Sequence, residues 1–125
     1  MLLVSFPVWG DVAAELHERL GGRIIYDCHD LLTGFGNISE DLLEAEGRVL
    51  SRCELVSFSA QWLMDHTLAQ YPDARDKAVL VRNAVNHYDF DMGTVFHSRM
   101  NDVDNVKTIG YVGALNFWFD IEAVR

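Results

Sequence analysis

Three places in this 125-residue sequence carry side chains that could do chemistry. The first is Asp27-Cys28-His29-Asp30, where an imidazole stands among carboxylates. A histidine there can donate a hydrogen bond to a phosphate or a sugar hydroxyl. It can equally pair with Asp30 to hold a turn, and position alone leaves both readings open. The second place is Glu46, which falls among Leu42, Leu43, Val49, Leu50 and Cys53 at helical spacing. A carboxylate on an apolar helix face costs several kcal/mol if buried without partners. Glu46 is therefore expected to reach backbone N–H groups of a neighbouring loop as a structural support. The third is Gly113, in Gly110-Tyr111-Val112-Gly113-Ala114-Leu115-Asn116. A glycine between a strand and a helix lets the backbone approach a phosphate, and the helix N-terminus adds a favourable dipole.

Other chemistries have no support. There is no GxxxxGK[ST] loop and no full GxGxxG fingerprint. His17, His66, His87 and His97 lack metal-ligand spacing, and Cys28 and Cys53 form no CxxC pair. Two isolated cysteines in apolar segments read as reduced, buried thiols of a cytosolic protein.

Short β-type runs alternate with helical stretches. Strands are expected over Leu2–Phe6, Arg23–Cys28, Glu54–Phe58, Ala78–Arg82 and Val106–Gly113. Asp11 is placed to cap a first helix with Val12, Ala13, Leu16 and Leu20 inward, ended by Gly21-Gly22. Asn37-Ile38-Ser39-Glu40 has capping-box spacing, opening a second helix to about Arg52. Ser59 can cap a third, with Trp62, Leu63 and His66 on one side, which stops at Tyr71-Pro72. The last dozen residues begin a fourth. This alternation predicts an α/β fold, a Rossmann-like parallel sheet with helices on both faces. Ligands of such sheets bind beyond the carboxyl ends of the strands. That rule selects His29 and Asp30, Ser59, Asn83, and Gly113 to Asn116.

A net charge of −9 argues against a general nucleic-acid binder and against adhesion to anionic lipid. No apolar run reaches the ~20 residues of a membrane span. Met1 to Phe6 lacks a basic flank and runs into Pro7, unlike a signal peptide.

Taken in order, these segments resemble family 4 (group 1) glycosyltransferases of the GT-B fold, of the bacterial surface-polysaccharide type. Tyr26-Asp27-Cys28-His29-Asp30-Leu31 looks like their strand ending in histidine. Glu46, then Glu54-Leu55-Val56 and Ser59, resembles their pattern of Glu, helix, acid-Leu-Val and Ser. Asn83-Ala84-Val85-Asn86 with Phe90 is similar to their Asn-Gly-Val-Asp and Phe signature. Gly110 to Leu115 with Trp118-Phe119-Asp120 looks like the opening of their donor domain. Ala84, Asn86 and Glu54 depart from the usual glycine, aspartate and aspartate.

The resemblance implies a partial N-terminal, acceptor-side domain over 1–90, an interdomain linker over 91–105, and the start of a C-terminal, donor-side domain over 106–125. The family's first strand and glycine-rich loop would then precede Met1, and the rest of the donor domain would follow Arg125. The implied activity is transfer of a sugar from a nucleoside-diphosphate sugar to a glycan or lipid-linked acceptor. It is expected of the full-length parent and not of this fragment alone. His29 and Asp30 would serve catalysis, Gly113, Ala114, Leu115 and Asn116 would bind the donor, and Glu46, Ser59 and Asn83 would give support. No cofactor or metal is expected, nor a nucleic-acid partner. The parent would be cytoplasmic, with any membrane contact peripheral. The rival reading is a non-catalytic Rossmann-like binding module or a degenerate remnant.

Overall fold

The computed structural model describes residues 1–86, 88, 110–115 and 119–124. The chain divides into two compact units, Met1–Val85 and Asn86–Arg125. The first alternates β1 (Leu2–Val4), α1 (Gly10–Leu20), β2 (Ile24–Cys28), α2 (Glu40–Arg52), β3 (Leu55–Phe58), α3 (Gln61–Gln70) and β4 (Ala78–Leu80). All neighbouring strands pair in parallel, in the order β1-β2-β3-β4. The expected α/β parallel sheet is therefore present.

Strand order decides which face the helices cover. Parallel crossovers are right-handed, so strands laid down one after another in a single direction put every connecting helix on the same side. Burial agrees. Val4, Ile24, Tyr26, Cys28, Val56 and Phe58 point to one side and share a core with Ala13 of α1, Val49 and Leu50 of α2, and Leu63 and Leu68 of α3. The alternate residues Leu3, Ile25, Asp27, Leu55, Ser57 and Val79 stay partly or fully exposed. Helices on both faces were expected; among the described residues the three α-helices occupy one.

Helix ends differ from the predicted caps. A short 3-10 turn, Pro7–Trp9, precedes α1 and makes Trp9 its N-cap. Asp11 sits in the first turn instead, where its carboxylate meets Arg52 Nη1 at 3.0 Å and Arg48 Nη2 at 3.3 Å, tying α1 to α2. Ser39 is the N-cap of α2 without a side-chain bond, so no capping box forms. Ala60 and not Ser59 starts α3. Gly21 and Gly22 do end α1, with φ of 71° and 103° that side chains rarely adopt. At the other end of α2, Lys77 Nζ donates to the carbonyls of Cys53 (2.8 Å) and Ser51 (3.2 Å), a cation at a helix C-terminus.

Two predicted helix faces are also rotated. In α1 the small residues Gly10 and Ala13 are buried, which leaves Val12, Leu16 and Leu20 exposed. In α3 the inward residues are Leu63, Thr67 and Leu68, while Trp62 lies outside, stacked on His66 with ring centroids 5.0 Å apart.

In the second unit, residues 110–115 contain neither strand nor helix, and a 3-10 turn spans Glu122–Val124. The strand predicted over Val106–Gly113 is thus not formed in its described part. Local contacts replace a ladder: the Tyr111 hydroxyl donates to the Ala114 carbonyl at 3.0 Å, and its ring tilts against Phe119. The Glu122 and Ala123 N–H groups both donate to Asp120 Oδ1 at 3.1 Å. The rest of that strand, the linker over 91–105 and the signature's Phe90 lie outside the described residues.

Close helix packing depends on Gly10. Its φ of −61° suits any residue, but an added Cβ would collide with the Val49 side chain. Gly10→Ala is expected to lower stability by about 1–3 kcal/mol through overpacking, despite alanine's better helix propensity. Adding Val49→Ala should recover part of that loss in a double-mutant cycle read by denaturant melts. Strict additivity would remove the close contact as the cause.

Candidate functional site

The carboxyl ends of β2 and β3 bring the predicted edge residues together. His29 follows β2 directly, with its side chain 44% exposed. Its Nδ1 lies 3.2 Å from the Asp27 carbonyl, and its Nε2 lies 3.5 Å from Asp30 Oδ2. A contact from Nδ1 to Asp27 Oδ2 is longer, at 3.9 Å. The ring thus lies between Asp27 at the end of β2 and Asp30 on the loop that follows, while remaining open to a ligand. The Ser59 hydroxyl donates to the His29 carbonyl at 2.9 Å, and the Ser59 N–H reaches the Cys28 carbonyl at 3.4 Å. Ser59 therefore supports the histidine loop from β3 and caps no helix. Ser57 Oγ reinforces the same edge by donating to Asp27 Oδ1 at 2.8 Å. That cross-strand bond follows from the register Asp27↔Ser57. Alternation alone could not have found Ser57, because it faces Asp27 only once the register is known.

Beside His29, Ser5, Phe6 and Pro7 line a depression of about 10 Å³, close to the volume of one water site. The first unit by itself offers an edge with directed polar groups beside this small depression.

Glu46 is buried, 9% exposed, but its partners are not the loop N–H groups that were expected. The Tyr26 hydroxyl donates to Glu46 Oε1 at 2.8 Å, and Cys28 Sγ stands 4.0 Å from the same oxygen. The tyrosine comes from the helix-covered face of β2, opposite the helix turn that carries Glu46. Side-chain partners therefore reach it before any loop does. Burial pushes the Glu46 carboxyl above its ordinary range, and the Tyr26 hydrogen bond opposes that only in part. Burial, aided by the nearby Glu46 charge, pushes the Cys28 thiol up to about 12. Burial, followed by the nearby Cys28 and Glu46 charges, raises the Tyr26 phenol as well.

The remaining residues are less engaged. Asn83 is exposed after β4 and makes no hydrogen bond among the described residues, so a supporting role has no contact behind it. Gly113 has no positive φ, and the Tyr111 hydroxyl stands over the space where its Cβ would be. Ala114 and Leu115 are exposed, no helix begins there, and Asn116 lies outside the described residues. Among the described residues no group of three His, Cys, Asp or Glu side chains is arranged to hold a metal. No described helix is long and apolar enough to cross a membrane. Comparison with protein-family models, curated proteins and solved structures finds no match to this chain.

The Tyr26–Glu46 pair makes stability depend on pH in a definite direction. The folded chain holds the Glu46 proton more tightly than the unfolded chain, because the folded pKa is raised. Its favourable share is complete below the ordinary carboxyl range and is lost as pH rises through the folded value. Glu46→Gln keeps an acceptor for Tyr26 and has no proton to lose. The melting temperature of Glu46→Gln should therefore gain on wild type as pH rises from the ordinary carboxyl range through the raised Glu46 value. A constant difference would place the carboxyl in water. Glu46→Leu leaves the Tyr26 hydroxyl unpaired and should cost about 1–3 kcal/mol.

Thiol chemistry offers a separate check. Cys28 and Cys53 are buried, and both thiols are raised mainly by desolvation. Iodoacetamide near pH 8 should leave both unmodified in the native protein and alkylate both in denaturant. Rapid native alkylation of Cys28 would contradict its enclosure.

Proposed function

We propose that this chain is part of a glycosyltransferase that transfers a sugar from a nucleoside-diphosphate sugar to a glycan or lipid-linked acceptor. The observation that carries the reading is His29 at the carboxyl edge of a parallel sheet, half-exposed, with Asp27 and Asp30 at its two ring nitrogens. Ligands of parallel sheets gather at that edge. The ordered motif resemblance supplies the reaction class.

In this reading Asp30 orients the imidazole, and His29 donates a hydrogen bond to the departing diphosphate or the transferring sugar. Such a donor acts on charge that develops in the transition state. Ser59 keeps the loop carbonyl of His29 fixed, so that the ring is set before the donor arrives. Gly113 and its neighbours contact the donor phosphates once the Tyr111 hydroxyl moves aside.

One observation favours the rival reading of a non-catalytic binding module. Residues 110–115 form no strand and start no helix, so the phosphate-binding arrangement expected at Gly113 is absent from the described residues. Both readings share the His29 edge, and rate measurements separate them.

In the complete enzyme, His29→Ala is expected to lower kcat/KM by roughly 10²–10³. Its contacts are solvent-exposed, so stability should change by less than about 1 kcal/mol. Steady-state assays over a panel of nucleotide sugars, paired with melting curves, measure both quantities. A change in kcat/KM of less than about threefold, under ~1 kcal/mol in rate terms, would sink the catalytic role.

A further inference from the structure

One side of α1 carries an apolar stripe. Trp9, Val12, Leu16 and Leu20 fall within about 80° of one another around the helix, at about 100° per residue. Among the described residues they are left exposed, by 62%, 48%, 38% and 80%. The stripe stands outside because α1 buries its small side: Gly10 lies against the Val49 side chain of α2, and Ala13 enters the core. These contacts also fix where the stripe points. Gly10 and Asp11 both meet α2, Asp11 through Arg48 and Arg52. The stripe is turned away from α2, toward β1, the strand that ends the sheet.

β1 is itself incomplete on that side. Among the described residues it pairs with β2 alone. The Leu2 N–H donates to the Arg23 carbonyl at 2.8 Å. Backbone groups alternate in direction along a strand, so the Leu3 N–H and carbonyl point to the free edge. An apolar helix stripe and an open strand edge thus border the same end of the unit. Folded chains usually cover both kinds of surface.

We propose that this end is the interface of a homodimer, in which β1 pairs antiparallel with β1 of a second copy and the two α1 stripes meet above the joined sheet. A two-fold axis at the β1 edge satisfies both surfaces at once, because each element meets its own copy. With Leu3 on the axis, the two Leu3 residues exchange N–H and carbonyl hydrogen bonds, which suits a strand of three residues. α1 packs over β1 and β2. With strands spaced about 4.8 Å, the two α1 axes then lie about 10 Å apart, a distance at which helices pack.

The area fits a second copy. The stripe exposes on the order of 400 Å² of apolar surface, so two copies would bury about 800 Å² of it. Standard interfaces total about 1,200–2,000 Å², of which somewhat over half is apolar. Beside the stripe, Glu15 and Arg19 form an ion pair and bring no net charge to the contact. Repulsion comes instead from the whole chain, at −9 per copy. Salt screens that repulsion, so dimerisation should strengthen as ionic strength rises. The interface lies apart from His29 and rests on none of the glycosyltransferase reading.

The test is sedimentation equilibrium of the full chain from about 1 to 300 µM, spanning the Kd range of interfaces of this size. A reversible monomer–dimer equilibrium is expected, with a larger dimer fraction at about 0.5 M than at about 0.05 M NaCl. Trp9→Glu and Leu20→Glu change exposed positions, so each should weaken the dimer at least about tenfold while the dilute monomer melts as before. Trp62→Glu, an equally exposed tryptophan on α3, is the control and should leave the dimer unchanged. A monomer across the whole range overturns the proposal, since another occupant would then have to cover the stripe. So does a dimer that survives both Trp9→Glu and Leu20→Glu, or one that Trp62→Glu disrupts as strongly.

Discussion

A parallel sheet in which each strand pairs with the next in sequence leaves its connecting helices one side to occupy. The handedness of parallel crossovers imposes this, and much of the molecule follows from it. Tyr26, Cys28, Val56 and Phe58 form a floor under α1, α2 and α3, and the core is gathered there. The opposite face keeps Ile25, Asp27, Leu55 and Ser57 partly exposed. The same constraint sends every strand's carboxyl end to one edge, so His29 and Ser59 meet although thirty residues separate them.

Within that floor, the helix-facing side of β2 is not purely apolar. Tyr26 places a hydroxyl under α2, and α2 answers with a carboxylate at 2.8 Å. Each group would be costly alone, since a buried polar atom without a partner forfeits its hydration. Together they fix the rotation of α2 over the sheet, because only one residue in each turn of the helix can reach the hydroxyl. Cys28, one pleat further along β2, shares the environment and becomes an inert thiol through its position beside Glu46. Glu46 also borders the cavity between α2 and α3, which makes one residue both a core support and a wall of a recess.

The exposed edge and the recess differ in electrostatic character. At the edge, His29 brings a ring donor among carboxylates in water, where its contacts contribute little to stability and are free to be used on a ligand. In the recess, desolvation governs, and the Glu46 carboxyl sits above its ordinary range. The glycosyltransferase reading draws on the first environment.

Much was legible in the sequence because it is local. Alternating apolar periodicity and the Gly21-Gly22 stop are properties of short windows, and they sufficed for an α/β parallel sheet with its first four strands close to their observed positions. The placement of His29 and Asp30 just past a strand is equally local, so their position at the sheet edge was visible. Glu46 stood out because one charge on an apolar helix face breaks a 3.6-residue pattern. What the windows could not contain was decided by tertiary structure. Asp11 became an anchor for Arg48 and Arg52 because two helices lie side by side. Trp62 went outward because α3 turned Leu63 and Thr67 to the sheet. Ser59 became a brace for His29, and Glu46 took Tyr26 instead of a loop N–H. In each case the partner lies on another element, and competition among buried surfaces, not local propensity, chooses which groups meet.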